Sequence, residues 1–325
     1  MSAIHANAVP ERERAARRSS PQPGRTPARI IRIPERVRNA LGFFPFLAPV
    51  HVLLLSIIVI PSFYVGWLSL NTSSFGQAPV YVGLANYMKV LADPAFREAL
   101  INTGIIVVVA VHLELVLALG MALLFAGGLP GRRFLLVAVL APYAISEVTA
   151  VAMWRFLFDP DIGPVTMALK ALHLPILEWS YVPSHGLLII ALLTIWLHLP
   201  FTFVILYAAR LAIPGELYEA AKVDGATTLQ SFRRVTLPLL GPAMLIALLF
   251  RYIFAFRLFS EVWLMTQGGP ARSTEVVAVY LYQEAFRFNA FGTAAATAWI
   301  MVLISLLLAA GYVLILRRQG GAHAH

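Results

Sequence analysis

The sequence predicts an all-α integral membrane protein with six transmembrane helices and both termini on one side of the bilayer. Three observations carry this. The 325 residues are 59% hydrophobic and only 13% charged, with mean hydropathy +0.77, whereas a soluble domain is usually about a quarter charged. The apolar residues fall into six runs, roughly 42–70, 101–127, 134–157, 187–208, 239–265 and 290–316. Each reaches about 20 residues, enough at about 1.5 Å per residue to cross a hydrocarbon core of about 30 Å. The basic residues, finally, are spread unevenly among the segments between these runs.

Residues 1–38 precede the first run and hold nine arginines, three glutamates and five prolines. Such a segment cannot bury enough apolar surface to fold and reads as a solvated, disordered tail. It is too long and too charged for a cleavable signal, and the apolar run behind it has full membrane length. The first run carries Pro45, Pro49 and Pro61, which predict tilt or kinking. With the N-terminus inside, seventeen of the twenty-five Lys and Arg residues lie inside, five outside (Lys89, Arg97, Lys170, Arg272, Arg287) and three within spans. The positive-inside bias therefore places both termini in the cytoplasm. Segments 71–100, 158–186 and 266–289 then lie outside, with turn signals at Asp93-Pro94 and Asp159-Pro160. The turn Gly128–Arg133 and the longer segment 209–238 lie inside.

This distribution assigns the isoelectric point of about 10.1 to topology rather than to a nucleic-acid partner. There is no cysteine, which excludes disulfides, thiolate metal sites and thiol nucleophiles. No phosphate-binding Gly-x-x-x-x-Gly-Lys-Ser/Thr loop, His-Glu-x-x-His motif or Ser/His/Asp set occurs. The chain is not expected to be an enzyme, to bind ATP or another cofactor, or to hold a metal.

The most informative segment is inner and polar, running from Ile213 to Pro238. It reads as two short helices around a turn. Pro214 suits the start of the first, with Glu216 and Glu219 favourable at its positive end. Gly225 suits the break, because glycine takes positive φ without steric cost. Thr227 or Thr228 can cap the second helix, and Pro238 is expected to stop it before the fifth span. Too polar for lipid, this helix-turn-helix would present a knob to another protein.

Within it, Glu219-Ala220-Ala221, then Gly225 after three residues, then Val235-Thr236-Leu237-Pro238 resembles the EAA loop of binding-protein-dependent ABC importer permeases. The spacing matches throughout, with Val235 in place of Ile. Further segments resemble the sugar-permease branch, the maltose-type and glycerol-phosphate-type subunits: Val82-Gly83-Leu84-Ala85-Asn86-Tyr87, Pro142-Tyr143, Trp154-Arg155-Phe156-Leu157-Phe158, and Leu264-Met265-Thr266-Gln267-Gly268-Gly269-Pro270, where Gln267 replaces a Gly. Ile213-Pro214, Tyr218 and Asp224-Gly225-Ala226 complete the pattern around the loop.

The resemblance implies a type I ABC importer permease fold over residues 39–318, with 209–238 as its coupling loop and 319–325 as a short tail. It implies a multi-pass subunit of a bacterial or archaeal inner membrane, importing a sugar or oligosaccharide by alternating access. Glu219, Ala220, Ala221, Asp224, Gly225, Leu237 and Pro238 would contact an ABC ATPase dimer, which binds the ATP. The implied partners also include a second, related permease subunit and a periplasmic or lipid-anchored solute-binding protein. An importer for a non-sugar solute and a stand-alone secondary carrier are the alternative readings; the carrier would have no need of the inner docking loop.

Ionisable residues inside spans are costly in lipid and normally face the bundle interior or a wet cavity. Tyr143, Glu147, Ala150 and Trp154 fall at i, i+4, i+7 and i+11, one face of a continuous helix, and an aromatic-plus-carboxylate face suits a sugar. Arg257 and Glu261 stand at i, i+4 and can pair, while Arg251 and Arg257 can instead meet Glu147 or Glu114 across helices. Tyr143, Glu147, Trp154, Arg251, Arg257 and Glu261 are therefore the candidate substrate path, with buried structural ion pairs as the alternative role for the charges. His51, His112 and His198 read as hydrogen-bonded packing residues.

Overall fold

The computed structural model of the chain describes residues 35–321, with side chains described over 47–312 and at 314. The tail expected over 1–38 lies outside the described residues up to position 34, and its last four residues open the first helix. Two compact units are present, Met1–Val59 and Ile60–His325. Helix α1, Glu35–Ser69, supplies the described part of the first unit and carries its three prolines in one continuous helix.

In the second unit, α1 ends in a short antiparallel pair, β1 (Asn71–Thr72) with β2 (Val80–Tyr81), in which Asn71 faces Tyr81. Helices α2 (Ala85–Ala92) and α3 (Pro94–Ala126) follow. Asp93 caps α3, its carboxylate accepting from Ala95 N at 2.9 Å, and Pro94 takes the first helical position, where its missing N–H costs nothing. The Asp93-Pro94 signal read as a turn is thus a helix start.

Helix α3 packs along α7 (Pro183–Leu211), and this pair organises the core. The buried face of α3 runs Ala99, Thr103, Ile106, Ala110, Glu114, Ala118, Ala122, Phe125. Lipid is as apolar as leucine, so helices in it are drawn together by close packing and hydrogen bonds rather than by the hydrophobic effect. The four alanines let the backbones approach, and Phe125 closes the seam edge-on against Phe203 at 5.2 Å between centroids.

Among the described residues five helices are long and apolar enough to cross a membrane, and a sixth crossing arises if one bent pair counts as a span. That pair corrects the third span, expected as continuous over 134–157. It consists of α4 (Arg132–Leu140), a 3-10 turn (Ala141–Ala144) and α5 (Glu147–Leu157), bent by 105°. Pro142 offers no N–H to the α ladder, which ends at Leu140. Ile145 and Ser146 then extend, with ψ of 137° and 138°. Tyr143 and Glu147 therefore do not share the face of one helix.

After α6 (Pro164–Ala171) and α7 comes the polar segment, α8 (Glu216–Val223) and α9 (Thr228–Ser231). Pro238 does not stop the second helix. A π turn over Phe232–Thr236, closed by Leu237 N donating to Phe232 O, carries α9 straight into α10 (Leu237–Ala255). The widened turn falls where Pro238 withholds its N–H, and it relieves the ring clash with the preceding turn.

The fifth span ends ten residues before the apolar run 239–265 does, at Ala255. Tight bonds from Arg257 N to Phe254 O and from Leu258 N to Ala255 O end the α ladder, and a separate α11 follows at Ser260–Met265. The chain closes with α12 (Val277–Tyr282), a π turn at Gln283–Arg287, and α13 (Phe291–Gly321), which runs into the short tail expected from 319. Gly292, at the start of α13, is required by close approach: a Cβ there would lie 2.2 Å from the Asn71 carbonyl oxygen.

Candidate functional site

The break between α4 and α5 restores by folding what it removes from the helix pattern. A cavity of about 530 Å³ is lined by the residues of the break, Pro142, Tyr143, Ile145 and Glu147, by Leu197 and His198 of α7, and by Phe254 and Arg257 from the end of α10. Tyr143, Glu147 and Arg257 of the candidate path thus meet in one space. Glu147 sits in the first turn of α5, where the helix dipole favours its negative charge. Tyr143 and Phe254 both lie near Phe201, with centroids 6.4 and 6.2 Å away.

The remaining path candidates lie elsewhere. Trp154 packs against Phe158 and Trp196, at 5.1 and 5.9 Å between centroids, on the flank of the largest apolar cluster. Glu261 is buried in α11, and no ion pair joins it to Arg257 among the described residues. With α10 ending at Ala255, the two no longer stand one helical turn apart.

Arg251 is paired with Glu114, and both are removed from solvent at 2% and 0% side-chain exposure. The guanidinium Nε lies 2.9 Å from each carboxylate oxygen, and Nη2 lies 2.8 Å from Oε2. Thr202 of α7 donates its hydroxyl to Glu114 Oε1. The cluster joins α3, α7 and α10 and does not line the cavity. Sequence reasoning named Glu114 and Arg251 but missed Thr202; its signal is the i, i+4 spacing from His198. The histidine rings contact backbone carbonyls one turn back, His198 Nδ1 reaching Thr194 O at 2.9 Å and His112 Nδ1 reaching Val108 O at 2.9 Å.

At the N-terminal end of the helical rod that contains α10 stands the polar loop. None of the residues of α8 is buried. Glu219, Ala220, Asp224 and Gly225 are exposed and Ala221 is half-buried. Gly225 takes φ +71°, the left-handed conformation that reverses the chain between α8 and α9. Thr227 begins α9 in a reciprocal capping box with Gln230: Gln230 N donates to Thr227 Oγ1 at 3.3 Å, and Thr227 N donates to Gln230 Oε1 at 2.8 Å. Thr227→Ala is expected to cost about 1 kcal/mol locally, seen as faster hydrogen exchange at the Gln230 amide while the exchange of α10 is unchanged. Tyr218 ties the exposed helix to the membrane part. The Arg210 guanidinium lies over its ring at 4.3 Å, and its hydroxyl is 3.0 Å from Thr236 Oγ1.

The segments 71–100 and 266–289 are held by polar side chains that the sequence reading did not assign. Asn86 donates to Ser69 O and Asn71 O, both at 2.9 Å. Asn102 donates to Ser273 O and Glu275 O at 2.9 and 3.0 Å. Their signal is an amide beside an otherwise apolar run. Asp159 Oδ1 accepts from Ile162 N and Asp161 N, and these bonds hold its carboxyl below the usual range.

The profile of the binding-protein-dependent transport system inner membrane component family matches residues 114–321. The sulfoquinovosyl glycerol transport system permease protein SmoG of Agrobacterium fabrum is 35% identical over 280 residues, covering 84% of this chain and 89% of its own. The trehalose/maltose transport system permease protein MalF of Thermococcus litoralis is 32% identical over 243 residues, covering 74% and 82%. The trehalose transport system permease protein SugA of Mycobacterium tuberculosis is 33% identical over 249 residues, covering 76% and 79%. Among solved structures, a chain of the bacterial alginate ABC transporter in complex with an alginate pentasaccharide-bound periplasmic protein matches with a TM-score of 0.76 at 21% identity, over 87% of this chain and 96% of that one, a likeness of fold. The chain therefore belongs to the family of binding-protein-dependent transport system inner membrane components, the permease subunits of ABC transporters.

Proposed function

We propose that this chain is one permease subunit of an ATP-driven importer that carries a sugar or oligosaccharide across the inner membrane, with both termini cytoplasmic. One observation carries the reading. A single helical rod, Thr228–Ala255, has the exposed Glu219–Gly225 segment at its inner end and the cavity residues Phe254 and Arg257 at its outer end. At about 1.5 Å per residue the rod spans about 42 Å. A force applied to the exposed loop is thereby delivered to the cavity wall. An ABC ATPase dimer binds and hydrolyses the ATP and receives Glu219, Ala220, Ala221, Asp224 and Gly225 in its cleft, with Leu237 and Pro238 at the junction with α10. A second, related permease subunit completes the pathway, and a periplasmic or lipid-anchored binding protein delivers the solute.

The cavity chemistry supports a hydroxyl-rich cargo. Arg257 only donates hydrogen bonds, Glu147 as a carboxylate only accepts them, and a sugar hydroxyl does both. Tyr143 and Phe254 offer ring faces to the C–H face of a pyranose. The names of SmoG, MalF and SugA point the same way.

The test is uptake of labelled mono- and disaccharides into proteoliposomes holding the whole complex, its binding protein and internal ATP. ATP-dependent uptake is expected, and Glu147→Ala is expected to lower it about tenfold or more, the weight of a charged hydrogen bond. Glu147→Gln is expected to fall between the two. Unchanged rate and affinity in Glu147→Ala would remove this residue from the path. Uptake by the chain alone, without the ATPase, would make it a secondary carrier.

A further inference from the structure

A groove of about 570 Å³ opens at the start of α4, lined by Gly131, Arg132, Arg133, Phe134 and Leu136. It lies at the same end of the chain's core as the polar loop, because the Arg132 guanidinium is over the ring of Tyr207 at 5.3 Å, one turn before Arg210. Helix α4 has two unlike sides. Leu136 and Val139 pack against the α3–α7 seam. The opposite side bears Phe134, 84% exposed, and Val137, 69% exposed. Arg133 is exposed above this apolar side, one helical turn from Val137. Among the described residues neither arginine forms an ion pair, and no Asp or Glu occurs in the sequence between Glu114 and Glu147.

We infer that this groove is a binding site for an anionic phospholipid, whose phosphate is held by Arg132 and Arg133 and whose acyl chain lies along Phe134 and Val137. The two halves of the groove match the two halves of the lipid. A pair of guanidiniums without a local carboxylate complements a headgroup bearing a net negative charge, and arginine binds phosphate oxygens with two parallel N–H donors. The Tyr207 ring holds the Arg132 guanidinium in place, so less side-chain freedom is lost on binding. The exposed phenyl and isopropyl groups continue the same side into the hydrocarbon. A protein surface placed here would have to bring its own carboxylates to avoid burying two unpaired cations. An anionic lipid brings the charge and the apolar surface in one molecule.

The test uses the intact importer complex, purified in detergent with equal amounts of palmitoyl-oleoyl phosphatidylglycerol and phosphatidylcholine, and native mass spectrometry to read the lipids retained. Wild type is expected to retain phosphatidylglycerol in preference by up to about 30-fold, the factor two arginines supply near an anionic surface. Arg132→Gln with Arg133→Gln is expected to bring the preference near parity, and Arg133→Lys to keep most of it. Equal retention of both lipids by wild type, or an unchanged preference in the double glutamine variant, would overturn the site. Displacement of the lipid by millimolar inorganic phosphate would overturn it in favour of a soluble anion. The chain has no cysteine, so Phe134→Cys introduces a single thiol. Its crosslinking to the second permease in native membranes would show a protein occupant and overturn the lipid; its modification by a lipid-soluble maleimide without such a crosslink supports the lipid.

Discussion

Arg251→Met is expected to cost the protein about 3–5 kcal/mol, the loss seen when one partner of a buried ion pair is removed. Glu114 is fully buried, and two of its three partner contacts, the Nε and Nη2 sides of the guanidinium, would vanish while Thr202 remained. At 0% exposure the carboxylate is not in contact with solvent that could replace the lost partner. Changing both residues, Glu114→Leu with Arg251→Met, removes the charge together with its partner, and it is expected to recover most of the loss because apolar replacement of a whole buried pair is often neutral. Arg251→Lys keeps the charge but not the fork that spans both carboxylate oxygens, and is expected to fall between. Thermal unfolding of the detergent-solubilised protein measures all three. A double variant as unstable as the single one would mean that packing at these positions, rather than the unpaired carboxylate, sets the cost. Since neither residue lines the cavity, the double variant is also expected to keep the wild-type KM for uptake. A raised KM would return Arg251 to the substrate path.

The contrast between Arg251 and Arg257 shows what the sequence made legible and what it did not. The six-run pattern and the short-range chemistry of the inner loop could be read directly, because hydropathy, a glycine at positive φ and a threonine cap act over a few residues. Gly225 and Thr227 sit as that chemistry requires. The depth and facing of the span charges could not, because they depend on where helices break. Two breaks decide the site: the 3-10 turn at Ala141–Ala144, and the tight turns after Ala255. A continuous helix through 134–157 would put Tyr143, Glu147 and Trp154 on one face. The break instead turns Tyr143 and Glu147 into the cavity and leaves Trp154 against Trp196. The pairing of Arg251 with Glu114 joins residues 137 positions apart, and local spacing carries no information about it. Pro142 entered the sequence reading only through its resemblance to a family segment, and the apolar run of membrane length around it concealed the break. Pro238 was read as a stop, and the π turn before it made it tolerable.

Gly225→Val is expected to abolish recovery of the ATPase with the detergent-solubilised permease, and with it ATP-dependent uptake, while leaving the membrane part folded. The strain is purely conformational. Gly225 holds φ +71°, and a Cβ built on it meets nothing within 4 Å. A left-handed conformation costs an L-residue about 1–2 kcal/mol, and a β-branched side chain more. The α8–α9 turn relieves that cost by opening, since nothing packs against it, and the angle at which Glu219, Ala220 and Ala221 are presented changes. Asparagine tolerates the left-handed region far better, so Gly225→Asn is expected to keep most of the ATPase recovery although its side chain is larger than alanine's. Gly225→Ala is expected to lie between, near a tenfold loss, the equivalent of about 1.4 kcal/mol. That order, Asn above Ala above Val, follows backbone preference and runs against side-chain size, so it separates a loop that must hold an angle from a surface that must merely stay small. Recovery that instead falls with side-chain volume would show that steric room in the cleft, rather than the angle of the turn, is what Gly225 supplies. Wild-type recovery in Gly225→Val would detach this loop from the ATPase altogether. The unfolding temperature serves as the internal control: α10 and the Arg251–Glu114–Thr202 cluster lie beyond the π turn, so a variant that loses the ATPase at unchanged stability has its defect in the angle of an exposed turn.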